Sequence, residues 1–241
     1  MKIDPAFLPF LKGSKFSNSL VFPVSNGGAN KDRLTLLIEK CKSKRIVHIG
    51  FADHIPLVEG KIKANTWLHK RLLAVAEKVI GVDISEEAIA YFKANHSFPD
   101  LFLHDVINDE PLAAITAERW DIMLLGEILE HVDNPVDFLK RLLEKYGSYV
   151  RAIIISVPNA TCLMNFRMAR LHKEYINSDH RFWFTPYTLA KVGLQAGWQP
   201  VEFEYCQNND PGKWFFRRAI RRHPALRETL VFTFESPLFN K

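Results

Sequence analysis

The run Asp121-Ile-Met-Leu-Leu-Gly126-Glu127-Ile-Leu-Glu130-His131 carries two carboxylates and an imidazole directly after a short apolar stretch. Glu127, Glu130 and His131 are spaced i, i+3, i+4, so on a helical turn they share one face. An imidazole titrates near neutral pH, which suits it to taking up and releasing a proton. Residues 122–125 are of the kind buried on both faces of a parallel sheet. Ligands in open parallel sheets bind outside the carboxyl ends of the strands, so three ionisable groups at such an end mark a candidate site.

The elements that must position this cluster follow an alternating pattern. Apolar runs at 45–49, 79–82, 101–103, 122–125, 153–157, 201–205 and 230–234 read as strands, and 67–78, 86–95, 135–146 and 186–196 read as helices. Ser85 followed by Glu86 and Glu87 is a capped, acidic helix start, and Thr185-Pro186 is a second. Gly197 closes the last of these helices. Strands alternating with helices imply an α/β fold: a doubly wound, Rossmann-like, mostly parallel seven-stranded sheet with helices on both faces.

Residues 1–241 are expected to form one domain. Residues 1–40 read as a cap or lid with loops, including Ser25-Asn26-Gly27-Gly28. Residues 41–206 form the core, 158–184 an insertion at the carboxyl end of the sheet, and 207–241 a basic segment with the last strand.

The first strand leads into Gly50-Phe51-Ala52-Asp53-His54, where a doubly wound fold carries a turn that lets backbone approach a cofactor. The second strand ends in Asp83, whose carboxylate could accept hydrogen bonds from both ribose hydroxyls. Asp105 ends the third strand similarly, and the pair supports adenosine binding more than either alone.

The order of these motifs resembles the class I S-adenosylmethionine-dependent methyltransferases. The resemblance runs from Val47-His-Ile-Gly50 through Val79-Ile-Gly-Val-Asp83, His104-Asp105-Val106, Gly126-Glu-Ile-Leu-Glu-His131 with Asn134-Pro135, and Pro158-Asn159. It ends with Asp179-His180-Arg-Phe-Trp-Phe-Thr-Pro186 and Ala196-Gly197-Trp198.

It implies that His48, Gly50, Phe51, Ala52 and Asp53 lie along the methionine and ribose of S-adenosylmethionine. Asp83 and Ile84 would hold the ribose, Asp105 and Val106 would border the adenine, and Glu127 would close the cofactor site. Methyl transfer from a sulfonium needs alignment, exclusion of water and deprotonation of a hydroxyl acceptor, which the resemblance assigns to His131, His180 and Glu130. In methyltransferases with an E-x-x-E-H pattern and a later histidine, the four matching positions, here Glu127, Glu130, His131 and His180, can bind a divalent cation (Mg, Mn, Fe or Zn).

Two departures stand out. His48 replaces a customary acidic residue, and Ala52 and His54 stand where glycines are usual. Gly50 and Asp83 are also 33 positions apart, and the surplus over a compact unit implies an extended loop at 53–66.

Composition narrows the class further. Of 241 residues 47% are hydrophobic and 24% charged, as in a soluble globular protein, and no stretch approaches a membrane span. The N-terminus lacks the apolar core of a signal peptide, and three cysteines without a C-x-x-C pair suit free thiols, so a cytoplasmic location is expected. Cys162 reads as a structural thiol. The remaining histidines (His54, His69, His96, His104, His172 and His223) lack ligand spacing and are assigned no role.

Much of the net charge of +5 sits in Lys213-Trp-Phe-Phe-Arg217-Arg218-Ala-Ile-Arg221-Arg222, expected to be an amphipathic helix tucking Trp214, Phe215 and Ile220 inward. Such a run could alternatively meet phosphate, a nucleic acid or an anionic membrane face. Aromatic and basic residues such as Phe166, Arg167, Tyr175, Arg181 and Trp183 fill the 158–184 insertion and suit a sugar or ring-bearing metabolite.

The favoured expectation is O-methylation of a sugar or glycan precursor or a similar small molecule. Methylation of an RNA 2′-hydroxyl and a non-catalytic nucleotide-binding protein are the alternatives. Nucleic acid is not the expected partner because no RNA-binding module accompanies the motifs, and a dehydrogenase is disfavoured because no G-x-G-x-x-G follows the first strand.

Overall fold

The computed structural model describes residues 1–24, 29–53 and 55–240. Ser25-Asn26-Gly27-Gly28 of the expected cap and His54 of the expected glycine turn lie outside the described residues. The seven expected strands all form: β1 (Arg45–Ile49), β2 (Lys78–Asp83), β3 (Leu101–Leu103), β4 (Trp120–Gly126), β5 (Val150–Pro158), β6 (Gln199–Cys206) and β7 (Thr229–Glu235). They make one sheet in the order β3-β2-β1-β4-β5-β7-β6. β1 runs parallel to β2 and β4, with Val47 opposite Ile80 and Met123, and β2 runs parallel to β3. β6 and β7 are antiparallel. The chain packs as two compact units, one from Met1–Arg33, Glu127–Lys140 and Ile155–Glu235, the other from Leu34–Gly126, Arg141–Ile154 and Ser236–Lys241.

In the second of these, β1, β2 and β4 are almost continuously buried, which is why they read as unbroken apolar runs. Beside them lies a cluster of Phe51, Val58, Ile62, Trp67, Ala88, Ile89 and Phe92. Trp67 and Phe92 stack at 4.8 Å, and the Trp67 indole N–H donates to Phe51 O at 3.2 Å.

This cluster corrects the extended loop expected at 53–66. Ile55–Lys63 is a helix because Val58 and Ile62, one turn apart, bury against the aromatics. The helix expected at 67–78 is only Leu68–Leu73, and Lys78 already begins β2. Glu86–Asn95 forms as expected, with Ala88 N donating to Ser85 Oγ at 3.2 Å.

In the other unit, β6 and β7 bring Phe203, Phe232 and Phe234 into a stack. Ile3 N donates to Val201 O and Phe203 N to Met1 O, both at 2.9 Å, so the start of the chain covers the open edge of β6. The helix Pro186–Gln195 starts with a reciprocal cap between Thr185 and Thr188. It lies so close to β7 that a Cβ on Gly193 would sit 2.2 Å from Phe234 Cε1. Gly193→Ala is therefore expected to destabilise the protein by about 1–3 kcal/mol through overpacking, read as a lower midpoint in denaturant unfolding. An unchanged midpoint would mean that the helix slides freely over Phe234.

Candidate active site

The turn after β1 and the end of β2 meet through Asp83. Gly50 has φ +63°, a conformation that favours glycine, and its N–H donates to Val82 O at 2.8 Å. Asp83 is buried at the strand end and accepts from Ala52 N at 3.0 Å and Ser85 N at 2.9 Å. Burial raises its pKa, against the opposing pull of the Ser85, Ala52 and Ile84 backbone N–H groups. Each carboxylate oxygen can accept more than one bond, so capacity for two ribose hydroxyls remains. Ile84, the next residue, is exposed. The Asp83 carboxylate and the left-handed Gly50 turn fit an adenosyl group.

The other residues expected here are placed more specifically. The Phe51 ring faces inward among Trp67, His69 and Phe92, leaving only its backbone at the turn. Asp53 is engaged by Lys61. Asp105 accepts from Ile107 N, Asn108 N and Asn108 Nδ2, so both of its oxygens close their own turn. Val106 is buried.

His48, standing where an acidic residue is customary, is buried with Nδ1 at 3.2 Å from Nδ1 of His69. His69 was assigned no role from sequence, yet it is fully buried, and burial lowers its pKa to about 3. A Cβ on Gly81 would fall 2.9 Å from His69 Cε1, so the imidazole pair fits a space that glycine leaves open.

Glu127, Glu130, His131 and His180 belong to the other unit. The single shared helical face does not form. Glu127 takes φ +58°, with its N–H on Ser156 O at 2.9 Å, and only Leu129–His131 make a single 3-10 turn. The side chains are gathered instead by the 158–184 segment. Arg181 N donates to Glu130 O at 2.8 Å, and the Arg181 guanidinium reaches His131 O and Asp133. His131 Nδ1 donates to Asp179 O at 3.2 Å, which leaves Nε2 as the free lone pair. His131 and His180 meet edge to face at 4.7 Å, and His180 Nε2 lies 4.0 Å from Glu130 Oε1.

One ligand atom from each of Glu130, His131 and His180 lies within 4.8 Å of the others, and Glu127 stands outside that group. Glu130 is fully buried, and its carboxyl faces the Glu127 carboxyl and its own backbone N–H. Burial first, and then the charge of Glu127, hold its pKa well above the carboxylate range. Burial and the neighbouring His131 lower that of His180. Glu130 therefore tends to keep a proton and His180 to lack one, which is the polarity of an acid–base pair. Arg33 Nε lies 4.0 Å from Glu127 Oε1.

A cavity of about 630 Å³ opens in the same unit, lined by Glu127, His180, Trp183, Tyr175, Gln207 and Asn209 among others. Gln207 Nε2 donates to Asn209 O at 2.8 Å, while among the described residues its buried Oε1 has no partner. The 158–184 segment is closed at its base by Ala160 N donating to Phe184 O at 2.9 Å. Asn159 fixes that base by donating to Ala225 O at 2.8 Å and Arg227 O at 2.7 Å.

Comparison with known proteins decides the family. A methyltransferase-domain family matches residues 60–202, more than half of the chain. The chain belongs to that family.

The methyltransferase is 26% identical over 171 residues to the ubiquinone biosynthesis O-methyltransferases of Burkholderia pseudomallei and Burkholderia mallei, covering 67% of each chain. Its fold is similar to a SAM-dependent methyltransferase from Archaeoglobus fulgidus, with a TM-score of 0.51 and 18% identity over 84% of this chain and 91% of that one. It is also similar to the small RNA methyltransferase HEN1, with a TM-score of 0.57 and 17% identity over 92% of this chain and 27% of that one. It is a class I methyltransferase with S-adenosylmethionine as its cofactor.

Sequence reading missed His69, Arg181 as the clamp on the His131 turn, and Gln207. Only Arg181 had a signal, its place beside His180.

The buried His69 sets a pH dependence of folding for the methyltransferase. Its folded pKa of about 3 lies below the ordinary imidazole value of 6.5, so its stabilising contribution is complete above about 6.5 and is lost as the pH falls toward 3. The loss is about 1.4 kcal/mol per pH unit within that window. His69→Leu should flatten the fall in unfolding free energy between pH 6 and pH 4, and a slope equal to the parent's would contradict the assignment.

Proposed function

We propose that this methyltransferase moves the methyl group of S-adenosylmethionine to a hydroxyl oxygen of a sugar or glycan precursor, or of a similar small metabolite. The observation that carries the reading is the Glu130, His131 and His180 cluster, in which one ligand atom of each lies within 4.8 Å of the others and the carboxyl is fully buried. The cofactor supplies a methyl group on a sulfonium, a good leaving group, so the chain's own tasks are alignment, exclusion of water and removal of the acceptor proton. The residues proposed to hold it are His48, Gly50, Phe51, Ala52, Asp53, Asp83, Ile84, Asp105, Val106 and Glu127. In this set Phe51 contributes through its backbone, and His48 through its pairing with His69.

His131 Nε2 and His180 are the bases for the acceptor hydroxyl, and Glu130 is the partner that holds or returns the proton. The buried carboxyl beside two imidazoles also fits a divalent cation, with Glu130, His131 and His180 as ligands and Glu127 adjoining them. Such an ion, when bound, lowers the pKa of a coordinated hydroxyl. Oxygen as the acceptor atom is supported by the similarity to the Burkholderia O-methyltransferases. A hydroxylated acceptor is supported by the cavity, whose wall includes the polar side chains of Glu127, His180, Gln207 and Asn209.

Asp83→Ala should weaken S-adenosylmethionine binding by about tenfold or more in calorimetry, since two hydrogen bonds to a charged group are lost. His131→Ala should lower turnover at least about a hundredfold while leaving cofactor affinity within a factor of two. Turnover at the parent rate in that variant would remove His131 from the chemistry. Gln207→Leu should raise KM for the acceptor roughly three- to tenfold with kcat little changed. An unaltered KM would mean that the acceptor does not reach Gln207.

A further inference from the structure

The helix Trp214–Arg222, between β6 and β7, turns its bulk outward. Phe216, Ala219 and Ile220 face the unit, and Ile220 is buried. The inward placement expected for Trp214 and Phe215 is not what forms, since they are 72% and 43% exposed. Arg217 is held by Asp210, while Arg218, Arg221 and Arg222 extend along the exposed side. The helix touches Leu163–Ala169 through Arg167, whose guanidinium lies 4.4 Å from the Phe216 ring centre. That neighbouring stretch repeats the composition: Phe166, Leu171, Tyr175 and Ile176 are exposed, interleaved with the bases Arg170 and Lys173. Tyr175, Ile176, Arg167 and Ile220 line the acceptor cavity, so the aromatic and basic patch borders its opening.

We propose that this patch docks the methyltransferase on an anionic membrane surface, with Trp214 and Phe215 entering the headgroup layer beneath a row of arginines. Exposed aromatics at headgroup depth, with guanidiniums reaching back to phosphate, are the composition of helices that lie in a membrane interface. Single-stranded RNA would use the aromatics and arginines too. The exposed aliphatics Leu171 and Ile176 cannot stack on bases but gain by leaving water for acyl chains, which favours the membrane. The docking stands without the function proposed above; that it brings a membrane-borne hydroxyl acceptor to the cavity rests on that reading.

The test is cosedimentation of the full chain, without S-adenosylmethionine, with vesicles of phosphatidylcholine alone or with about 30 mol% phosphatidylglycerol. Binding is expected only to the anionic vesicles. It should fall about a hundredfold in the triple variant Arg218→Gln, Arg221→Gln, Arg222→Gln, at roughly fivefold per charge removed. It should fall severalfold in Trp214→Ser, Phe215→Ser.

Calorimetric binding of S-adenosylmethionine to the same preparations reports on folding and on the methyltransferase reading, and it is expected to match the parent. Absence of binding to anionic vesicles, or binding untouched by either set of substitutions, overturns the proposal. So does capture of a single-stranded RNA oligonucleotide through the same arginines by a protein that ignores the vesicles.

Discussion

A carboxyl group with no exposed surface, set beside a second carboxyl and two imidazoles, is the constraint around which the Glu130 cluster is arranged. A buried carboxylate is costly to keep ionised beside a second one, and Glu130 lowers that cost by favouring its protonated form. Its backbone is held independently of its side chain, by Arg181 N on Glu130 O and by the Arg181 guanidinium on the next carbonyl. The 158–184 segment therefore does two jobs: it clamps the turn that carries Glu130 and His131, and it supplies His180. Strain fixed in place by surrounding structure is a feature of sites that bind or react.

The same economy governs the Gly50 turn. With His48 in place of a carboxylate, the strand end is packed by an imidazole pair enclosed by Phe51, Trp67 and the bare Gly81. Asp83 is thus the carboxylate that ties the turn after β1 to the end of β2, and it does so through backbone N–H groups.

Much of this was legible in the sequence because local rules agreed with tertiary packing. The parallel strands announced themselves as apolar runs, and Glu86–Asn95 and Pro186–Gln195 carried their caps in Ser85 and in Thr185-Pro186. The helix Ile55–Lys63 was hidden because Pro56 and Gly60 weaken its local signal, while the contacts that stabilise it, to Trp67 and Phe92, are distant in sequence. Spacing placed Glu127, Glu130 and His131 on one helical face, a geometry that does not form: Glu127 is left-handed, which spacing could not foresee. The His48–His69 pair lies beyond any periodicity argument, since it joins residues 21 positions apart on different elements. The outward rings of Trp214 and Phe215 escaped for a related reason: amphipathicity reveals that a helix has two faces, not which aromatic lies on which.

The central claim, that Glu130, His131 and His180 handle the proton of an acceptor hydroxyl, is tested most directly by a crystal structure with S-adenosylhomocysteine and a hydroxylated acceptor bound. The account predicts the acceptor oxygen about 3 Å from an imidazole nitrogen of His131 or His180, or joined to them through one bound ion. An acceptor oxygen seated away from all three side chains would contradict it.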